Sequence, residues 1–518
     1  MPLSLKVPAL SDKPLILAET RPHKIADFIS RLPKESLASA ATILFEEMEI
    51  LNRQKVPCDD RLRALEIYRP AVINLSRQLA HQYDNAPLPL PEEAKSHASL
   101  VESLWLELSY GYKLALLDKQ KKIFNIGGEK STALMLQRAM EAMRKLAMVY
   151  HQTYFPLPAT VWADLNQLYL YAAQQSLHEV DVPTDEDQNS TISLTYKQAL
   201  LMALADPQRL APIDIRRTAD YIQRHAHHAH LLGLGLIDNP TGVFMLRLNT
   251  DNPPAPYAKN KGEGDTKHDI FLISVDLARL LHKHIQQLRL SNYEQSNDLS
   301  ADAHEPRYLD LLTYLIKQWS ESPKRIFDRT RKNNSVEIAI GIHAANYFFH
   351  DERSRLASEH KDTPDEHRHD SAEPLTASKW IVLNLSAGGI ALRKPPNIRE
   401  NLHVGSLVCM RESNAKHWSV GVVRWAANNE EQQIDIGTQL IAPTAKAIRL
   451  GKSGEFEKAL LLPGISVLKQ SISIIAPNGM YSPAGQLELD ESGKVSRIII
   501  TKLIERTNSF EHFNFSYL

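Results

Sequence analysis

The sequence predicts a multidomain protein: an all-α array first, a mixed α/β segment next, and β-structure from there to the end. Three observations carry this. Helical periodicity dominates residues 1–232, strand-like and helical runs alternate over 233–321, and from Val336 onward the apolar runs shorten to strand length. At 518 residues the chain has room for about three domains of roughly 150 residues each.

The helical array is justified stretch by stretch. Residues 34–54 place Leu37, Ala41, Leu44, Met48 and Leu51 three and four apart; residues 97–117 do the same with Leu100, Leu104, Leu108 and Leu116; residues 131–153 form a third stripe. Pro158 suits the first turn of a helix carrying Val161, Leu165, Leu168 and Ala172. The proline-rich run 84–93 and the acidic run 180–190 read as connectors. Trp105, Leu108 and Tyr112 recur in spacing as Trp162, Leu165 and Tyr169, similar to the first helix of a tetratricopeptide repeat, with Tyr196 and Ala199 as a second echo. The period is wrong for that repeat, and a buried aromatic-aliphatic stripe explains the spacing as well.

Residues 242–248 and 269–275 read as strands, the second flowing into a helix with Leu277, Leu280, Leu281 and Ile285; Tyr308 to Trp319 form a further amphipathic helix. After residue 453 the runs F-E-K-A-L-L-L-P, S-I-S-I-I, Q-L-E-L-D, K-V-S-R-I-I-I and F-N-F-S-Y-L suggest a small C-terminal β-domain, 453–518.

Composition bounds the function. The chain is 43% hydrophobic with a formal net charge of −1, which gives no global attraction to DNA or an anionic membrane. Any anionic ligand therefore needs a local basic site. Cys58 and Cys409 are too few for a disulfide framework and point to a reducing compartment. With neither a signal-peptide pattern nor a run of about 18 apolar residues, a cytoplasmic protein without a transmembrane segment is expected.

The local basic site is K-R-I-F-D-R-T-R, residues 324–331, with Lys324, Arg325, Arg329 and Arg331. Downstream, residues 384–389 read N-L-S-A-G-G and interrupt an apolar strand with Asn384, Ser386, Gly388 and Gly389. Strands at 336–342, 407–411, 420–425 and 434–441 frame the two. An Arg-x-x-x-Arg arm followed by an Asn/Asp-x-Ser-x-x-Gly turn among strands resembles the PilZ domain, over about residues 322–447. The resemblance implies a six-stranded antiparallel β-barrel that binds cyclic di-GMP. It matches Arg325 and Arg329 to the family's arm and Asn384, Ser386 and Gly389 to its turn, with Lys324 where one-or-two-nucleotide binding is influenced. The chemistry agrees: guanidinium forks suit phosphates and the O6/N7 edge of guanine. Asn384 and Ser386, two apart on a strand, share a face. Gly388 and Gly389 are expected to give φ > 0 and to leave space for a flat base. Asn384 stands where Asp is commoner. Residues 350–378, rich in His, Asp, Glu, Lys and Arg, read as a disordered charged insertion between the first two strands.

Other candidates carry less. His225, His227, His228 and His230 sit at a helix end with no accompanying Cys or carboxylate pattern, so structural or surface roles are expected and no metal site is assigned. No nucleophile elbow, Walker loop or dinucleotide fingerprint is present, nor any signature resembling enzymes that make or degrade cyclic di-GMP. The expectation is therefore a non-enzymatic receptor that needs no cofactor beyond its ligand. It would couple cyclic di-GMP to an unidentified protein partner in motility, pili, biofilm or virulence, through the helical region or the C-terminal β-domain; homo-oligomerisation is a further form of association. The alternative is a ligand-independent interaction scaffold with a degenerate barrel.

Overall fold

The computed structural model describes residues 3–121, 128–184, 189–257, 265–290, 298–320, 334–358, 375–386, 388–396, 400–412, 415–429, 433–452, 454–464 and 471–518. They form two compact units. Met1–Ala86, Leu90–Pro207 and Pro212–Lys324 make the first; Pro87–Pro89, Gln208–Ala211 and Arg325–Leu518 make the second.

The first unit opens with α1 (Pro22–Ser30), α2 (Leu37–Asn52), α3 (Cys58–Ala80), α4 (Glu92–Gln120), α5 (Glu129–Thr153) and α6 (Ala159–Gln174). A two-residue pair, β1 (Val182–Pro183) and β2 (Asn189–Ser190), precedes α7 (Ile192–Leu204) and α8 (Pro212–His225). Local chemistry sets the ends: the Ser36 side chain accepts from Ser39 N at 3.3 Å and the Thr191 side chain from Leu194 N at 3.0 Å, each satisfying an orphan donor of the first turn. The repeated stripes are core. Trp105, Leu108, Tyr112, Trp162, Leu165 and Tyr169 are all buried, and Tyr169 stacks on Tyr196 with centroids 4.5 Å apart. Asn166 accepts from the Tyr196 hydroxyl at 2.6 Å and donates to Thr250 O at 2.9 Å, so a polar residue sits in the stripe with its partners supplied. Lys113 on α4 and Asp164 on α6 form an ion pair of 2.6 Å, with side-chain exposures of 1% and 4%.

The mixed segment follows as β3 (His230–Gly233), β4 (Val243–Arg247), β5 (Ala255–Pro256) and β6 (Asp269–Ile273), in sheet order β3-β6-β4-β5. Helices α9 (Val275–Arg289) and α10 (Pro306–Ser320) complete the unit.

The second unit holds two closed six-stranded barrels. The first comprises β7 (Ser335–Ile340), β8 (Ser378–Ser386), β9 (Gly389–Lys394), β10 (Leu407–Glu412), β11 (Ser419–Asn428) and β12 (Ile434–Ala442), closed in the order β10-β11-β12-β9-β8-β7 with antiparallel neighbours. A helix, α11 (Ile342–Ser358), follows β7. Its last turns cover residues that the charge pattern assigned to a disordered insertion; the remainder of that run up to residue 374 lies outside the described residues. The sequence misleads here because the charge is partnered. Glu352 is buried, pairs with the His417 ring and accepts from Trp418 N at 3.3 Å.

The second barrel comprises β13 (Lys446–Lys452), β14 (Glu455–Leu462), β15 (Ser473–Ala476), β16 (Gln486–Glu491), β17 (Lys494–Arg506) and β18 (Glu511–Tyr517), in the order β13-β14-β15-β18-β17-β16. Its first strand precedes residue 453, because Lys446–Lys452 pairs along its full length with Glu455–Leu461. The barrels share a core: Ile342, Ala345 and Phe349 of α11 pack with Leu407, Val420 and Val422 of the first and Leu460, Leu462 and Ile475 of the second. The Asn346 amide, buried in that layer, donates to Ile448 O at 2.9 Å and Ala459 O at 2.8 Å, so one side chain of α11 ties both opening strands of the second barrel.

Candidate functional site

The N-L-S-A-G-G stretch is the β8–β9 hairpin. Ser386 pairs with Gly389 at its closed end, where the Ser386 hydroxyl donates to Gly389 O at 3.2 Å. The outcome at this site depends on a register shift between Val382 and Asn384. Trp380 and Val382 are buried on the inner side of the barrel. Strict alternation would send Asn384 and Ser386 to that same side. The bulge inserts one residue and reverses the phase, placing Asn384 opposite Ala391 and Ser386 opposite Gly389. Asn384 and Ser386 thus share the outer face and are half-buried there, and the Asn384 amide makes no side-chain hydrogen bond among the described residues.

Cross-strand partners extend this face. One row runs Ser386, Gly389, Gln439; the next runs Asn384, Ala391, Gly437, Trp425. Its floor is made of small residues for structural reasons. A Cβ on Gly389 would lie 2.0 Å from Thr438 O, and one on Gly437 would lie 1.7 Å from the Trp425 indole nitrogen. Gly389 does not adopt positive φ, in contrast to the expectation from the motif; its missing side chain is needed for the close approach of β12. Gly388 forms the turn, and its carbonyl accepts from Leu440 N at 3.3 Å.

A second register shift, between Val423 and Trp425, brings Trp425 opposite Gly437 on the outer face and makes Arg424 the extra residue of the bulge. Arg424 Nε donates to the Gln439 side-chain oxygen at 2.7 Å, and its Nη2 pairs with Glu505 at 2.9 Å. One row further along, Arg393 grips Asp435 bidentately at 2.7 and 2.8 Å. At the far end of β9, burial pushes the pKa of Lys394 down and that of Glu400 up, and Glu400 accepts from Ser378 Oγ at 2.5 Å. This face can offer amide and hydroxyl groups, a flat floor, an indole and fixed guanidinium groups to a planar, polar ligand.

Of the residues singled out in the sequence, Asn384, Ser386, Gly388 and Gly389 come together here. Lys324, Arg325, Arg329 and Arg331 lie outside the described residues. The structure adds Trp425, Gln439, Arg424 and Arg393. The sequence hides them because adjacent residues such as Arg424 and Trp425 occupy opposite faces of a regular strand, and only a bulge brings both outward. The four histidines of 225–230 do not share one environment: His225 is buried, His228 half-buried, and His227 and His230 exposed. His225 is buried against the Tyr221 ring with its Nε2 3.0 Å from Asp298 O, and His284 Nδ1 lies 3.0 Å from the Tyr221 hydroxyl. Burial lowers the pKa of His284 to about 4. Among the described residues no group of three or more His, Cys, Asp or Glu side chains could hold a metal ion.

Comparison with known proteins gives matches along nearly the full length. Residues 23–235 match the family model "Cyclic-di-GMP receptor FimW, N-terminal domain". Residues 243–369 and 351–447 match "Cyclic-di-GMP receptor FimW, middle PilZ domain", and residues 444–518 match "FimW C-terminal beta-barrel domain". The chain is similar to the cyclic-di-GMP receptor FimW of Pseudomonas aeruginosa, with 24% identity over 582 residues covering 99% of this chain and 93% of that protein. With three successive domain models matched in order, residues 243–447 are a PilZ domain, flanked by regions that match the FimW N-terminal and C-terminal beta-barrel domains.

Proposed function

We propose that this chain is a non-enzymatic receptor for cyclic di-GMP, bound on the outer face of the first barrel. The observation that carries the reading is the bulged hairpin, which turns Asn384 and Ser386 outward beside a floor of Gly389, Ala391 and Gly437. The name of the relative, a cyclic-di-GMP receptor, supports it. In this reading Asn384 and Ser386 recognise a guanine edge and the sugar-phosphate, Gly388 and Gly389 keep the wall flat, and Trp425 offers a stacking surface. Arg325 and Arg329, with Lys324 and Arg331, supply the phosphate and base contacts of the opposing wall. Binding would alter a protein-binding surface on the helical region or the second barrel. The cellular output would be motility, pili, biofilm or virulence, from the cytoplasm. No helix among the described residues is long and apolar enough to cross a membrane.

Calorimetric titration with cyclic di-GMP tests this. Wild type should bind, and Arg325→Ala/Arg329→Ala should lose the heat. Absence of heat from wild type, or equal heats from both proteins, would overturn the reading and leave a ligand-independent scaffold.

A further inference from the structure

Arg424 and Glu505 lie on different barrels, and both stand at β-bulges. Arg424 is the extra residue between Val423 and Trp425 on β11; Glu505 follows the register shift after Leu503 on β17. A bulge re-aims a side chain out of the strand's alternation, and here the two re-aimed side chains meet. Each guanidinium nitrogen has a partner: Nε on Gln439 at 2.7 Å, Nη2 on Glu505 Oε2 at 2.9 Å, and Nη1 on Glu505 Oε1. Both partners remain partly open to solvent, with 34% and 24% side-chain exposure.

The position matters as much as the pairing. Gln439 is the cross-strand partner of Gly389, which pairs with Ser386, so Arg424 hangs over the end of the row that begins at Ser386. Three strand steps along the curved barrel wall, about 4.8 Å each, separate its strand from that of Ser386, and its own side chain reaches back along that wall to Gln439. A carboxylate and a phosphate diester present the same kind of paired oxygen acceptor to a guanidinium fork. Glu505 therefore occupies the geometry that an anionic ligand on this face would want.

We infer that Arg424 is a ligand-binding residue of the cyclic di-GMP site, and that Glu505 of the second barrel competes with a ligand phosphate for its guanidinium. This rests on the reading of the outer face as a cyclic di-GMP site. Binding then exchanges one acceptor for another on Arg424 and frees Glu505. That exchange gives the second barrel a direct report of occupancy through β17. A partly exposed ion pair is a modest competitor, so the exchange needs no unfolding of either barrel.

The test is calorimetric titration with cyclic di-GMP of wild type, Glu505→Gln, Arg424→Gln, Arg424→Lys and the Glu505→Gln/Arg424→Gln double variant. Removing the competitor should tighten binding by about three- to tenfold, and removing the fork should weaken it about tenfold or more. The double variant should bind like Arg424→Gln alone, because Glu505 acts only through Arg424. Arg424→Lys should also weaken binding, since it keeps the charge and loses the fork. If wild type binds while all four variants stay within about twofold of it, the inference is overturned and the site reading stands. If wild type does not bind, the site reading itself fails. Should Glu505→Gln lower the melting temperature of the free protein, the two Arg424 variants decide: binding equal to wild type in both overturns the inference.

Discussion

Replacing Gly389 by alanine is the sharpest test of the barrel wall, because two reasons for that glycine make different forecasts. If Gly389 serves only to leave room for a base, Gly389→Ala weakens binding and leaves the free protein intact. The geometry forecasts more. The new Cβ would sit 2.0 Å from Thr438 O, 3.1 Å from Thr438 C and 3.2 Å from the Cα of Gln439, all backbone atoms of β12. No rotamer relieves a clash between a Cβ and backbone. Strands β9 and β12 must separate by more than about 1 Å, well beyond the tolerance of a ladder hydrogen bond near 2.9 Å. The pairings at risk are Gly389 with Gln439 and Ile390 with Thr438. Overpacking costs about 1–3 kcal/mol, and each weakened ladder bond adds about 0.5–1.5 kcal/mol. A loss of about 2–5 kcal/mol is expected, lowering the melting temperature of this unit by several degrees or more. Thermal unfolding of the ligand-free protein reads it. A variant that melts within about 1 °C of wild type would refute the close approach of β12. Ser386→Ala is the companion: it removes one partly exposed hydrogen bond to Gly389 O, so the free protein should melt almost unchanged while cyclic di-GMP titration shows weaker binding.

Three further outcomes are expected. Asn346→Leu removes both donors to Ile448 O and Ala459 O in the layer between the barrels and should cost about 2–4 kcal/mol in urea unfolding; a loss under about 0.5 kcal/mol would show that those carbonyls are satisfied without it. Asp164→Ala strands Lys113, whose ammonium burial already disfavours, and should destabilise the helical unit by about 3–5 kcal/mol, whereas replacing both by apolar residues should recover much of that in a double-mutant cycle. Burial lowers the pKa of both His284 and His512 to about 4, below the usual value near 6.5. The unfolded chain takes up these protons first, so stability should be full above about pH 6.5 and fall progressively toward pH 4. His512→Gln should flatten part of that acid limb in unfolding measured across the range.

The hairpin part of the candidate face was legible in residue order. Asn384 and Ser386 are two apart, so they were expected to share a face, whereas the positive φ expected of Gly389 is not adopted. The face itself was not readable. It depends on the bulge after Val382, and a one-residue phase change leaves no compositional trace. The same holds for Arg424 and Trp425, which a regular strand would separate. Helix α11 was missed for a different reason. Its Glu352 is worth burying only because the His417 ring and the Trp418 amide are there to meet it, and its apolar residues Ile342, Ala345 and Phe349 need both barrels to cover them. The strand Lys446–Lys452, with Lys446, Arg449 and Lys452 along it, carries a weak apolar pattern that only pairing with β14 and β16 resolves.

By itself, then, the sequence determined the succession of helical and β regions, because periodicity is a local property of consecutive residues. It also determined which residue types could meet a phosphate-bearing guanine ligand. Only the tertiary structure decided which way those residues face, why Gly389 must lack a side chain, and that the two barrels share one core across α11. Barrel closure and bulge register are set by strands distant in sequence, and no window of neighbouring residues contains that information.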